Sequence, residues 1–346
     1  MTYLRNCWYL VGWVKELDEV GWFARTIAEV PLLIMRTVEG GVSALLDRCP
    51  HRFAPLSCGK ITDGQITCGY HAITFAADGR CLDNPHGAAI SALTVPSFAA
   101  AVGHTGIWVW IGEQALADPA TIPPLDLITR TPASAGLHGY EQIAANYQLC
   151  TDNILDLSHA DSLHPTSLGG GATTRAQFTV KEHPDRIELN WFAPSDVAPP
   201  ALDALLPEPN NPADVYLRAI WYAPSVMAVT LGGYPAGHRE RGNPETWGIH
   251  VMTPSDAGKT HYFYWAGRNC LVEDADLTAM VAVMLQAAFA GEDKPMLEAQ
   301  QSRVGSTDFN ALGPALLRTD EGSVRVRRRL SKLIAAEAAC AEREPA

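Results

Sequence analysis

Positive charge is in short supply. Lys and Arg total 26 against 38 Asp and Glu in 346 residues, a formal net charge of −12. Such a chain is a poor partner for nucleic acid or for an anionic membrane surface. No apolar run approaches the ~18 residues of a membrane-crossing helix. The opening stretch, MTYLRNCWYLVGWVKELDEVGW, has no basic n-region and carries acids from Glu16 onward. It is therefore not read as a signal peptide, and a cytoplasmic location is expected. No internal repeat is present. No G-x-G-x-x-G follows a strand, and Gly169-Gly170-Gly171 has the wrong spacing, so there is no evident Rossmann-type nicotinamide or flavin site. Without a secretion signal, the eight cysteines are expected to be thiols or metal ligands rather than four disulfides.

What is present describes a folded protein. Apolar residues make up 47% and charged residues 18%, which excludes a disordered regulator and a small disulfide scaffold. The length implies roughly two domains. The first third reads as all-β: runs at 31–38 and 42–47 flank the turn Glu39-Gly40-Gly41, and ITFAADGRCL and GIWVWIG follow. A Pro-, Thr- and Ser-rich stretch from about 115 to 135 reads as a connection. The expected divisions are thus 1–115, a linker at 116–138, and 139–346. In the last, a helix near 145–160 precedes six strand-like runs (AQFTVKEH, RIELNWF, YLRAIWY, VMAVTLGG, TWGIHVMT and THYFYWAG). Without βαβ alternation they predict an antiparallel sheet. Two helices, near 274–303 and 323–338, close an α+β chain. The Pro-rich segment 197–213 is expected to be a surface loop or lid.

The strongest local signal is C-P-H-R (49–52) with C-G-Y-H (68–71). Each half offers one thiolate and one imidazole on a tight loop, through Cys49, His51, Cys68 and His71. A Rieske [2Fe–2S] cluster needs two Cys on one iron and two His on the other. A Cys2His2 zinc site uses the same residue types, but zinc fingers usually pair Cys with Cys and His with His. Cys58 and Cys81 fall outside the pattern and are read as small buried hydrophobes.

The second signal is N-I-L-D-L-S-H-A-D-S-L-H (153–164). Asp156 and His159 are spaced to share a helix face. His164 is off that face, but Pro165 disfavours helix at His164, so the helix is expected to end between the two His. Two His and one carboxylate would form a facial triad for mononuclear iron(II), leaving positions open for dioxygen. Asp161 is too near both His in sequence to reach the far side comfortably. Asp293 and its neighbour Glu292, in G-E-D-K-P-M-L-E (291–298), stay open as candidates on spacing alone.

Taken together, C-P-H-R-F-A-P-L-S, C-G-Y-H, N-x2-D-x2-H-x4-H and E-D-K-P-M-L-E resemble a Rieske non-haem iron oxygenase. The likeness is to oxygenase components of the vanillate O-demethylase, dicamba monooxygenase and toluenesulfonate monooxygenase branch, and it runs through nearly the whole chain. It implies an N-terminal all-β Rieske domain and a helix-grip-like catalytic domain with a curved antiparallel sheet. It implies that Cys49, His51, Cys68 and His71 hold the cluster and that His159, His164 and Asp293 hold iron(II). Asp156 would link an iron-ligand His to a cluster His of a neighbouring subunit in a head-to-tail homotrimer. Asn153 would lie beside the iron without ligating it. O2 would be co-substrate, with NAD(P)H acting only through a separate flavin- and ferredoxin-type reductase. The implied reaction is hydroxylation of a methoxy or methyl carbon of an aromatic substrate, expected to be an aromatic acid. O-demethylation is favoured over ring dihydroxylation, and a plain electron carrier would leave 153–164 unexplained. A lipid-type carrier is the non-enzymatic rival. For the substrate, His250 is a candidate polar contact, with Trp221, Met227, Val229, Trp247, Met284 and Phe289 as candidate apolar lining. Gly232 and Gly233 are read as room for a ligand or as a bulge.

Overall fold

Short apolar runs broken by Gly, Asp and Pro fold as eleven strands in the first third of the computed structural model, which describes residues 3–239, 243–305 and 309–341. They are β1 (Cys7–Trp13), β2 (Trp22–Ile27), β3 (Val30–Arg36), β4 (Val42–Leu46), β5 (Lys60–Thr62) and β6 (Gln65–Thr67). The rest are β7 (Thr74–Ala76), β8 (Cys81–Asp83), β9 (Ser97–Phe98), β10 (Ala100–Gly103) and β11 (Gly106–Ile111). Three antiparallel sheets result, ordered β1-β11-β10, β2-β3-β4-β9 and β5-β6-β7-β8. Strand β3 lies in the middle of this packing. Leu32 and Ile34 enter one apolar cluster with Val11 and Val109, while Leu33 and Met35 enter a second with Ile66 and Phe75. Alternate residues of a strand face opposite ways, so a strand buried on both faces must be apolar throughout. Truncating Leu33 to Ala is expected to cost about 2–5 kcal/mol. Cys49 and Cys68 sit in the second cluster. By contact density this unit spans Tyr3–Ile122.

The second unit runs from Pro123 and is built on a seven-stranded antiparallel sheet. Its strands are β12 (Leu137–Ile143), β13 (Gln177–Glu182), β14 (Ile187–Asp196), β15 (Ala213–Tyr222), β16 (Val226–Pro235), β17 (Glu245–Asp256) and β18 (Lys259–Arg268). The order is β12-β18-β17-β16-β15-β14-β13, a meander whose first strand returns to the far edge. Six of these were expected; β12 was not. Its sequence, LHGYEQI, lacks clean alternation. It pairs because Gly139 gives way to a ring: a Cβ there would lie 1.9 Å from Tyr264 on β18.

Four other expectations are corrected. The helix Tyr147–Leu155, capped by Asn146, stops at Asp156 instead of running on to the histidines. A 3-10 turn (Leu157–His159) and one helical turn (Ala160–Leu163) follow, so the break precedes both His instead of falling between them. The Pro-rich segment 197–213 is no loose loop, since it contains the helical turn Pro200–Asp203 and buries Leu202 and Leu206. Cys58 is exposed and Cys81 half-buried, neither fully interior. Finally, the helical run Ala275–Val304 is long and apolar enough, at a mean hydropathy of 1.2, to cross a membrane by composition alone. Polar residues punctuate it; it buries Leu285, Phe289 and Asp293, while Met280, Val283 and Met296 are exposed.

Candidate active site

Two loops of the first unit share one backbone design. In one, the Cys49 amide donates to Ala54 O at 2.8 Å and the Phe53 amide to Cys49 O at 2.9 Å. In the other, the Cys68 amide donates to Ile73 O at 2.9 Å and the Ala72 amide to Cys68 O at 3.0 Å. Phe53 (φ 60°) and Ala72 (φ 54°) take the left-handed turn at matching places. The segments beside them approach closely, because a Cβ on Gly59 would lie 2.2 Å from Thr67 O. The Cys49 and Cys68 thiols are thus buried side by side, and the His51 and His71 rings stand 4.4 Å apart nearer the surface. Burial pushes the Cys49 thiol up, as does the Cys68 thiol, while the amides of His51 and Arg52 oppose the rise. Those amides point at a sulfur, as they would to favour a thiolate. Among the described residues one trio of donors converges within 4.8 Å, and it is not drawn from this quartet. A single zinc would need all four donors around one point. A thiol pair beside an imidazole pair fits a two-iron cluster instead.

The converging trio is His159, His164 and Asp293. Both Nε2 atoms face one carboxylate oxygen: Asp293 Oδ1 is 3.5 Å from His159 and 3.3 Å from His164. The opposite nitrogens are anchored. His159 Nδ1 meets the Asp156 carbonyl at 2.6 Å, and His164 Nδ1 meets Glu292 Oε2 at 2.6 Å. Such contacts fix the ring orientation and leave each Nε2 for a metal. Asn153 Nδ2 donates to Asp293 Oδ1 at 3.1 Å and approaches His159 Nε2 at 3.5 Å. Burial alone would raise the Asp293 carboxyl, yet its bonds to His159 and His164 hold it well below the usual range. Burial would likewise lower His164, but Asp293 and Glu292 raise it. Two imidazoles and one carboxylate on one side of a point make a facial set with free positions, suited to iron(II).

Local sequence explains how Asp293 reaches this point. The helix Ala275–Gln286 widens into a π-turn, Ala287–Asp293, before the helix Lys294–Val304. Pro295 has no N–H and would crowd the carbonyl of residue 291 in a regular helix, and a wide turn relieves both problems. Glu292 and Asp293 are consequently both directed at His164. Asp161 does something else, accepting from the amides of Gly171 at 2.7 Å and Thr174 at 2.8 Å. The Asp156 carboxylate accepts from Ser158 N and Oγ at 3.1 and 2.6 Å. Within one chain its link to His159 is through its backbone carbonyl, not its carboxylate.

The trio borders a cavity of about 460 Å³ between the sheet and the helical run 275–293. Val229, Trp247, His250, Met284 and Phe289 line it; Trp221 and Met227 do not, being fully buried core. Gly232 and Gly233 give no room to a ligand, since added Cβ atoms would meet Tyr216 and Leu202 instead. Gly248 is the glycine that matters, because a Cβ there would stand 2.5 Å from His250 Nε2. His250 Nδ1 is bonded to the Tyr262 hydroxyl at 2.7 Å, and burial lowers the imidazole to about 4. Gly248 and Tyr262 escaped sequence reading. Counting two residues back from His250 along one sheet face would have found the first.

Comparison with known proteins agrees with this geometry. Residues 7–99 match the Rieske [2Fe-2S] domain, and residues 143–336 match the vanillate O-demethylase oxygenase C-terminal domain. The chain is 35% identical to the oxygenase component of dicamba O-demethylase from Stenotrophomonas maltophilia, over 98% of this chain and all of that protein. It is 34% identical to the oxygenase component of chloroacetanilide N-alkylformylase from Rhizorhabdus wittichii, over 97% of both. Among solved structures, dicamba monooxygenase bound to 3,6-dichlorosalicylic acid superposes with a TM-score of 0.91 at 33% identity, covering 98% of this chain and 100% of that one. The chain therefore belongs to the Rieske non-haem iron oxygenases, as an oxygenase component of the vanillate O-demethylase branch.

Proposed function

We propose that this oxygenase removes the methyl group of an aromatic methoxy compound. One observation carries the reading: two imidazoles and a carboxylate converge in the wall of an apolar cavity with room for a substituted benzene ring. The names of relatives that are dicamba and vanillate O-demethylases support it. In this reading His159, His164 and Asp293 hold iron(II), and Cys49, Cys68, His51 and His71 hold the [2Fe–2S] cluster. The loaded centres supply oxygen activation and one-electron transfer, with O2 as co-substrate. The remaining work belongs to the chain. Asn153 and Glu292 keep the ligand set aligned, and the apolar walls exclude water from the reacting carbon. Overall, ArOCH3, O2, two electrons and two protons give ArOH, formaldehyde and water. Hydroxylation of the methyl carbon yields a hemiacetal whose C–O bond breaks as the phenol leaves.

The electrons come, in this proposal, from NAD(P)H through a separate flavin- and ferredoxin-type reductase, and pass between neighbours of a head-to-tail homotrimer. Asp156 supports that route, being half-buried one turn before His159 with Ser158 as its side-chain partner. Metal analysis of the purified protein should give three irons per chain, two from a cluster and one from the trio. Two would remove the mononuclear site. With reductase and NADH, methoxy aromatics should release formaldehyde in step with NADH oxidation. Asp156→Asn should keep both metal sites filled while turnover collapses; normal turnover would sink the bridging role.

A further inference from the structure

We infer that Tyr262 is a positioning residue: it holds His250 as the tautomer with its proton on Nε2, so the cavity wall offers the substrate a hydrogen-bond donor there. The preferred substrate accordingly carries an acceptor, a carbonyl or carboxylate oxygen for example, on the part of the ring that faces His250. That the ligand is an aryl methyl ether rests on the O-demethylation reading; the donor comes from the two side chains alone.

The sheet register brings the pair together. Tyr262 lies opposite Met252, and Tyr264 lies opposite His250, so all four side chains share one face of the β17–β18 ladder. Gly248 and His250 on that face line the cavity, whereas Tyr262 stands behind the imidazole, 2% exposed and off the wall. The Tyr262 hydroxyl is 2.7 Å from His250 Nδ1 and has no other partner among the described residues. A phenol has one proton to donate, and a neutral imidazole has one donor nitrogen and one acceptor nitrogen. Were the ring proton on Nδ1, it would point at the phenol oxygen, and the phenol's own proton would be buried without an acceptor. That arrangement carries the full desolvation cost of an unpaired donor. With the phenol donating to Nδ1, the pair is satisfied and the ring proton sits on Nε2. Burial keeps both groups neutral, lowering the imidazole to about 4 and raising the phenol well above the usual tyrosine range.

The other nitrogen is left open. His250 Nε2 has no partner among the described residues, and a Cβ on Gly248 would lie 2.5 Å from it, in the space an acceptor needs. The Phe289 ring packs edge-on against both rings, at 5.7 Å from His250 and 5.6 Å from Tyr262. Other polar groups share the wall: Thr166, Ser167, Thr173, Thr246 and Arg268. The four hydroxyls can donate or accept and impose no preference of sign, while Arg268 is a further donor. Variants of the His250 pair therefore have to show where the preference arises.

The test uses the full-length holoenzyme and two neutral series of similar shape: 2-, 3- and 4-methoxyacetophenone, and the matching isopropenylanisoles, in which C=CH2 replaces C=O. Affinity is read by calorimetry without reductase, and formaldehyde is read with reductase and NADH. At the best ring position the ketone should bind about ten- to a hundredfold more tightly than its alkene. Tyr262→Phe should cut that ratio at least about fivefold, with alkene affinity, iron content and cluster spectrum as in the parent. A merely structural role would weaken both ligands together. Gly248→Ala should lower the ratio too, by covering Nε2. In His250→Phe the ratio should fall at least as far, and adding Tyr262→Phe should lower it no further. Equal affinities in the parent would overturn the inference, as would a ratio unchanged by Tyr262→Phe, or binding of neither series. Ketones held tightly with no formaldehyde from any ring would uphold the donor and end the demethylation reading.

Discussion

Glu292 and Asp293 are consecutive, yet they address opposite nitrogens of one imidazole: Glu292 meets His164 Nδ1 and Asp293 faces His164 Nε2. Removing the charge from Glu292 while keeping its shape should loosen the ring. Glu292→Gln is expected to weaken iron(II) binding by about ten- to a hundredfold in equilibrium dialysis, with the cluster spectrum unchanged. His250 carries a pH dependence of known sign. Its folded value, near 4, lies below the ordinary 6.5, so the unfolded chain takes the proton first. Stability from this residue is therefore complete above about pH 6.5 and is lost as pH falls towards 4, a change on the order of 3 kcal/mol. Urea unfolding at pH 7 and pH 5 should show a smaller pH difference in His250→Phe than in the parent. An equal difference would mean that another group dominates.

The π-turn is the element on which the site depends. Each residue of a regular helix turns the chain by about 100°, so deleting Ala290 should swing Asp293 off the two imidazoles. The expected product lacks mononuclear iron but keeps its cluster absorption; full iron content in that variant would show that the wide turn does not position Asp293. Sequence reading picked out the paired Cys and His loops, because tight Gly- and Pro-flanked motifs are local. It found β3 and the six-strand meander, because burial imposes apolar runs. It missed the π-turn, although Pro295 was in view, since a proline after an apolar helix also reads as an ordinary new start. Asp293 was separable from Glu292 only by family likeness, because which acid reaches a ligand position is set by turn width, not by spacing. β12 was illegible for a related reason: its place depends on Tyr264 lying over Gly139, a contact between distant strands.

At the scale of the molecule, long-range pairs hold the second unit together. Arg327, in the closing helix Glu321–Ala341, donates through Nε to Asp152 Oδ2 at 2.8 Å and through Nη1 to Gln148 Oε1 at 3.1 Å, on the helix that precedes His159 and His164. Burial already pushes Asp152 up to about 6 despite that partner. Arg327→Met should therefore cost about 1–3 kcal/mol in denaturant unfolding, since the partly buried Asp152 carboxyl loses its cation and takes up a proton instead of staying charged. The two metal centres also differ in how their ligands are spread along the chain. On the proposed assignment the cluster residues all lie within 49–71, whereas His164 and Asp293 meet across 129 positions. An unfolded polymer can gather the first set by closing one short loop, and gathering the second costs about 1.6 kcal/mol more chain entropy. Mononuclear iron should consequently act as a reporter of tertiary integrity. On gradual denaturation it should leave first, while the cluster colour persists until its own local loops open.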